Sequence, residues 1–95
     1  MSELGKAIAL PTVVDLDALD AVRDRLIEAV ELGPVEVDGA EVERVATNAL
    51  FMLVSAAETA RRNSFQFQIV RASAPMLGAI ERLGLNQSFA GLMKG

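Results

Sequence analysis

The chain has 95 residues, 52% of them hydrophobic, and a formal net charge of −4. This length and apolar content predict one domain, over residues 1–95, with a packed core. The sequence has no cysteine, histidine, tryptophan or tyrosine, which excludes disulfides and thiol catalysis, argues against zinc sites and nucleic-acid binding, and removes the most common general base.

The first third of the chain predicts two short strands and a helix. Lys6–Leu10 reads as a strand, and Thr12–Val14 as a second short extended segment. A helix follows, with Asp15 or Asp17 as its N-cap, and Gly33-Pro34 ends it. The apolar residues that recur at helical spacing in this segment are Leu19, Val22, Leu26, Ala29 and Val30.

The middle of the chain predicts a strand, a second helix and another strand. Val35–Asp38 alternates apolar and polar residues, and a polar loop over residues 39–44 follows it. The second helix is predicted over Thr47–Arg62, where two arginines complement the dipole at its C-terminal end. Phe65–Val70 is rich in residues that favour strands and predicts the next one.

The last third predicts a third helix and a short terminal one. Ser73 is the predicted N-cap, Pro75 lies in the first turn, and Gly84 ends the helix. Its predicted apolar face consists of Met76, Leu77, Ile80 and Leu83. A terminal helix over residues 86–93 is expected to pack Leu85, Phe89 and Leu92. The alternation of strands and helices predicts an α/β fold, with a small mixed, largely parallel sheet and crossover helices packed on it.

Thr47 is the candidate functional residue, because it opens the second helix. A helix N-terminus has free N–H groups and a partial positive charge, so a hydroxyl there can cap the helix or carry a phosphate. Phe51 and Met52 fall outside the centre of the apolar stripe of this helix, which predicts partial exposure beside Thr47. The alternative is that the sheet curls around and buries both side chains.

The segment Val37–Leu50 resembles the STAS domain family, the fold of bacterial anti-anti-sigma factors. Family members have a strand that ends in Asp, a loop of similar length, and an Asp-Ser/Thr motif before an apolar helix. Ala72–Pro75 and Leu83–Leu85 extend the resemblance, which is closest to the small single-domain variety. Ala46 stands where the family has the motif Asp, and Ala49 where it has Gly.

This resemblance implies a non-catalytic regulator that binds a kinase-like anti-sigma factor or another signalling protein. It also implies that Thr47 occupies the position at which many members are phosphorylated. A signalling or chemotaxis context is the first expectation, and an accessory subunit of a lipid-transport ATPase is the second. The predicted partner-binding face comprises Asp15, Leu16, Glu43, Arg44, Val45, Ala46, Thr47, Asn48, Phe51 and Met52.

Two other hypotheses remain open at the level of sequence. One is a small-ligand-binding domain or enzyme that uses Asp15, Asp38, Glu41 and Arg71, although no acid and base stand at a recognisable catalytic spacing. The other is a homodimer in which the exposed helix start is a self-contact. We expect no enzymatic activity, cofactor or metal, because cysteine and histidine are missing. We expect no membrane insertion and a cytoplasmic location, because the longest apolar stretch is Ala49–Val54 and no secretory signal is evident.

Overall fold

A computed structural model describes the backbone of residues 6–94 and, except at Lys6, Leu16 and Lys94, their side chains. The elements in chain order are β1 (Lys6–Ala9), β2 (Val13–Val14), α1 (Leu16–Leu32), β3 (Val35–Asp38), β4 (Arg44–Val45), α2 (Thr47–Arg62), β5 (Phe67–Val70), α3 (Ala74–Arg82), α4 (Asn86–Ala90) and β6 (Met93–Lys94). The predicted α/β fold is confirmed, and every strand pairing within residues 6–94 is parallel.

The main sheet has the strand order β1-β3-β5-β6, so each crossover steps to the next position in the same direction. Right-handed crossovers in one direction place their helices on one face of the sheet. The strands alternate accordingly: Ile8, Val37 and Ile69 are buried, whereas their neighbours Ala7 and Glu36 are exposed. The molecule therefore has two layers, with the helices covering one face of the sheet.

The core lies between the sheet and the helices. α2 supplies more of it than any other element, because its residues at helical spacing meet the sheet while the opposite side faces solvent. The buried residues of α2 are Ala49, Leu50, Leu53, Ala57 and Ala60. α1 packs beside α2 and buries Val22, Leu26, Ala29 and Val30, all four of them predicted from the spacing.

Two short strands lie outside the predicted pattern. β4 falls at the end of the segment predicted as a loop and pairs with β2, in the register Val13↔Arg44 and Val14↔Val45. β6 replaces the end of the predicted terminal helix, which stops at Ala90. A two-residue strand has no periodicity to recognise in the sequence, since the partner strand alone defines it.

Three predicted details at the C-terminal half are wrong. β5 begins at Phe67 rather than Phe65. Leu77 and Leu83 are exposed, although they were predicted on the apolar face of α3; Ala79 is buried instead. Leu77 directly follows buried Met76, and adjacent residues on a helix point about 100° apart. Leu83 is the C-cap residue, so it lies beyond the last helical residue and outside the helical spacing.

α2 and α3 end in the same hydrogen-bonded motif. After α2, Phe65 N–H donates to Ala60 O at 2.8 Å and Ser64 N–H to Arg61 O at 3.0 Å. After α3, Leu85 and Gly84 make the equivalent bonds, at 2.9 and 3.0 Å. This is the Schellman arrangement, which requires a left-handed residue after the C-cap. Gly84 has φ +69° and Ser64 has φ +65°, so only α3 uses the favoured residue.

Candidate partner-binding surface

The β2–β4 ribbon brings the starts of α1 and α2 side by side. Its backbone bonds run from Glu43 N–H to Thr12 O at 2.7 Å and from Ala46 N–H to Val14 O at 2.8 Å. Each strand of the ribbon leads into a helix within two residues, β2 into α1 and β4 into α2. The two segments predicted to share a face, 15–16 and 43–48, are therefore neighbours because their strands pair.

The two helix starts differ in their capping. Asp15 is the N-cap of α1, and its carboxylate accepts a hydrogen bond from Ala18 N–H at 3.0 Å. The N-cap of α2 is Ala46, so no N-cap side chain satisfies its first turn. The idea that Thr47 itself caps the helix is wrong, because Thr47 is the first helical residue and Ala46 holds the extended cap conformation. The backbone N–H groups of Thr47 and Asn48 point out from an uncapped helix start.

A shallow depression of about 470 Å³ lies between the ribbon and α3. Two acidic residues, Asp15 and Glu43, and two basic residues, Arg44 and Arg82, line it. The full lining is Val13, Val14, Asp15, Glu43, Arg44, Val45, Ala46, Pro75, Ala79 and Arg82. It therefore gathers five of the ten residues of the predicted face: Asp15, Glu43, Arg44, Val45 and Ala46.

Thr47 and Asn48 in the first turn of α2, and Phe51 one turn further on, are exposed next to this depression. Phe51 is 50% exposed and lies four residues after Thr47, which places the two side chains on one side of the helix. Met52 is half-buried and lines a different groove, between α1 and α2, together with Leu26 and Ile27. The helix start thus keeps Phe51 beside Thr47 and turns Met52 towards α1. Leu16 begins α1, and its side chain lies outside the described set.

The residues of the small-ligand hypothesis do not share the depression: Asp15 lines it, whereas Asp38, Glu41 and Arg71 do not. Asp38 accepts hydrogen bonds from the Arg71 guanidinium and, at 2.9 Å, from Ala40 N–H. The Arg71 bond, followed by the Ala40 bond, lowers the pKa of Asp38, and the same pairing raises the pKa of Arg71. This ion pair lies where β3 and β5 end side by side in the sheet.

A buried glycine supports the loop that follows β3. A Cβ at Gly39 would lie 2.9 Å from Met76 Sδ and 3.3 Å from Ala72 Cα, so no larger residue fits without displacement. Gly39 O accepts from Ser73 N–H at 3.1 Å, and the Ser73 hydroxyl donates to Val42 O. The cap of α3 thereby fixes the loop that leads into β4.

Sequence reasoning missed the contribution of α3 to this surface. Pro75, Ala79 and Arg82 line the depression from a helix nearly thirty residues further along the chain. Their spacing of four and three residues is that of one helix face, which is the signal the sequence carries. Nothing local connects that face to β4, because the contact depends on how α3 packs.

The part of the chain that the structure describes has neither a metal-binding cluster nor a membrane-spanning helix. Residues 6–94 contain no group of three acidic side chains placed to hold a metal ion. None of the helices in this range is both long and apolar enough to cross a bilayer.

Comparison with known proteins places the fold in a family. The family model described as "Mlab, STAS domain" matches residues 2–94. The crystal structure of a sulfate transporter family protein from Wolinella succinogenes aligns with a TM-score of 0.68 at 14% identity, covering 93% of this chain and 74% of that one. A comparison with curated proteins gives no match. Since the family model spans nearly the whole length, the chain belongs to the STAS domain family.

Proposed function

We propose that this protein is a non-catalytic regulatory domain that binds a partner protein through the surface at the start of α2. Membership of the STAS family is consistent with a partner-binding role. The observation that carries the proposal is the position of Phe51: a half-exposed aromatic side chain one turn beyond an uncapped helix start. Exposed aromatic residues are typical anchors of protein interfaces.

Exposed charged and polar residues near the start of α2 could form the polar rim of an interface centred on Phe51. Glu43 and Arg44 are exposed beside Thr47 and Asn48, and both charged and apolar residues line the depression behind them. Free backbone N–H groups at Thr47 and Asn48 favour an acceptor on the partner, such as a carboxylate or a carbonyl. We infer a kinase-like anti-sigma factor or another signalling protein as the partner class, as the family resemblance implies.

Thr47 is the proposed site of a phosphorylation switch. Its side chain is exposed on the first turn of α2, where the helix dipole favours added negative charge. A phosphate there would occupy the N–H groups that an acidic partner group needs and would repel that group. Phosphorylation is therefore expected to stabilise the helix start while releasing the partner. Detection of a phosphopeptide carrying Thr47, in protein isolated from its own cells, tests this step.

Affinity capture with matched variants tests the binding surface. The chain is immobilised, partners are identified by mass spectrometry, and capture is compared between Phe51→Ala, Thr47→Glu and Ile27→Ala. Ile27 is the control because it is also 50% exposed but lies on α1, in the groove with Met52. We expect the first two variants to lose the captured partner and Ile27→Ala to keep it. Retention by both Phe51→Ala and Thr47→Glu would contradict the proposal.

A second candidate is an accessory subunit of a transport ATPase. The family resemblance implies this role as its second expectation, and the match to a sulfate transporter family protein, at 14% identity, concerns the fold alone. The same surface would then contact the ATPase rather than a signalling kinase. The captured partner distinguishes the two, because a transport ATPase co-purifies with its membrane subunits and a signalling kinase does not.

A further inference from the structure

The outer edge of β1 is open in the described part of the chain. β1 pairs with β3 on one side, and within residues 6–94 no strand pairs with its other side. Leu10 N–H donates to Asp38 O at 2.9 Å, towards β3. Because the backbone groups of successive residues in a strand point to alternate sides, the N–H and C=O groups of Ala7 and Ala9 point to the open edge.

The flank of α1 above this edge carries one charge of each sign. Arg25 and Glu28 are exposed and line a shallow depression of about 240 Å³ together with Ala7 and Ile8. Ala21 precedes Arg25 by four residues and Leu32 follows Glu28 by four, so both belong to the same flank of the helix. Leu32 is 63% exposed and adds apolar surface to this flank.

We propose that two copies of this chain associate through these edges, with the β1 strands antiparallel and related by a two-fold axis at Ile8. Ala7 then forms a hydrogen-bonded pair with the partner's Ala9, and each Ile8 lies opposite the partner's Ile8. An axis perpendicular to the sheet keeps the helices of both copies on one face. The result is one continuous sheet with the two α1 helices antiparallel and adjacent.

The residues of α1 are symmetric about the same axis. Arg25 and Glu28 line the depression beside Ala7 and Ile8, so the proposed axis at Ile8 passes between them and Arg25 of each copy faces the partner's Glu28. The same symmetry places Leu32 opposite the partner's Ala21, a large side chain against a small one. Paired strands lie about 4.8 Å apart, and helices packed on them come within about 8–10 Å of each other, which long charged side chains can bridge. A two-fold interface must be self-complementary. This flank meets that condition, because Arg25 matches the partner's Glu28 and Leu32 matches the partner's Ala21.

The edge shares no residue with the surface at the start of α2. Dimer formation and partner binding are therefore separable by mutation, and failure of one proposal leaves the other standing. An extended peptide from another protein could use the same backbone groups. Binding of such a peptide would not depend on Arg25 and Glu28 being complementary to each other, whereas binding of a second copy would. Charge reversal at these two residues therefore distinguishes a second copy from a peptide.

Charge reversal tests the dimer by sedimentation equilibrium. Arg25→Glu creates two Glu–Glu contacts per dimer and Glu28→Arg creates two Arg–Arg contacts, so we expect each to raise the dimer Kd by about tenfold or more. An equimolar mixture of the two variants restores both ion pairs and should give a heterodimer about as stable as the wild-type dimer. A wild-type chain that stays monomeric at every concentration, or single variants that dimerise like wild type, would overturn the proposal.

A backbone substitution provides the second test. Ala7→Pro removes an N–H group that points to the open edge and leaves the β1–β3 hydrogen bonds intact, which an edge strand tolerates. We expect this variant to be monomeric, with a thermal unfolding midpoint near that of the wild type. A dimer that survives Ala7→Pro would contradict β1 pairing. If the variant fails to fold, the charge-reversed mixture alone decides.

Discussion

Ala46 is the residue whose identity most affects the candidate surface. It occupies the N-cap of α2 with φ −73° and ψ 150°, the extended conformation that a capping residue adopts, but it has no oxygen with which to cap. Its neighbour Asp15 shows the alternative, since it caps α1 with its carboxylate. The missing cap leaves N–H groups available at the place where Phe51 is exposed.

Replacing Ala46 with aspartate should therefore stabilise the fold. We expect Ala46→Asp to raise the free energy of unfolding by about 1 kcal/mol, and Asp15→Ala to lower it by about the same amount. Urea denaturation measures both. An unchanged stability in Ala46→Asp would mean that water or a neighbouring group already satisfies the helix start.

The Asp38–Arg71 pair predicts a pH dependence at the acid limit. Because the pKa of Asp38 in the folded chain lies below 3.8, its usual value, the pair contributes stability above pH 3.8. That contribution is lost as the pH falls through the lower folded pKa. Arg71→Asn removes the guanidinium but retains a residue that tolerates the positive φ of 54°.

We expect Arg71→Asn to raise the pKa of Asp38 towards its usual value, with part of the depression retained because Ala40 N–H still donates to the carboxylate. Titration of the side-chain carboxyl carbon by NMR measures this directly. A pKa that does not change on removing Arg71 would show that the ion pair does not form in solution.

The ends of α2 and α3 form a matched pair at the level of the element. Both use the same two backbone bonds, but α2 places Ser64 where α3 places Gly84. A residue with a Cβ is strained in the left-handed conformation, and glycine is not. Asn63 adds a further contact, since its side-chain amide donates to Val30 O at 3.0 Å and so joins the end of α2 to that of α1.

Exchanging these residues should have opposite effects on stability. Ser64→Gly should raise the free energy of unfolding by about 0.5–1 kcal/mol, and Gly84→Ser should lower it by about 1 kcal/mol. A Cβ at Gly84 meets no atom within 4 Å, so the second change reports backbone strain rather than a clash. Thermal and urea unfolding of the two variants check the sign, and a loss of stability in Ser64→Gly would contradict this account of the helix end.

Local signals explain which elements were predictable. Val35–Asp38 and Thr47–Arg62 have the predicted bounds, because alternation and helical spacing are properties of the segment itself. β6 was not predictable, since it exists through contacts such as Ile69 N–H to Leu92 O at 2.7 Å. Likewise, the sequence indicated Asp15 and Glu43 as members of the surface, whereas the helical spacing that links Arg82 to Pro75 and Ala79 does not show against which element that face packs.

At the level of the whole molecule, the fold separates three surfaces. The starts of α1 and α2 form the proposed partner site, the outer edge of β1 forms the proposed dimer contact, and a groove runs between α1 and α2. The groove is lined by Ile27 and Met52 among others and is the main competitor of the proposed partner site, because it also exposes apolar atoms. A direct test must distinguish the helix start from this groove.

NMR mapping of the isotope-labelled chain with its captured partner makes that distinction most directly. The account predicts that the largest amide shift changes fall on residues 43–51 and 13–15, with little change at Arg23, Ile27 and Thr59 in the groove. Changes concentrated in the groove, with residues 43–51 unaffected, would contradict the claim that the start of α2 binds the partner.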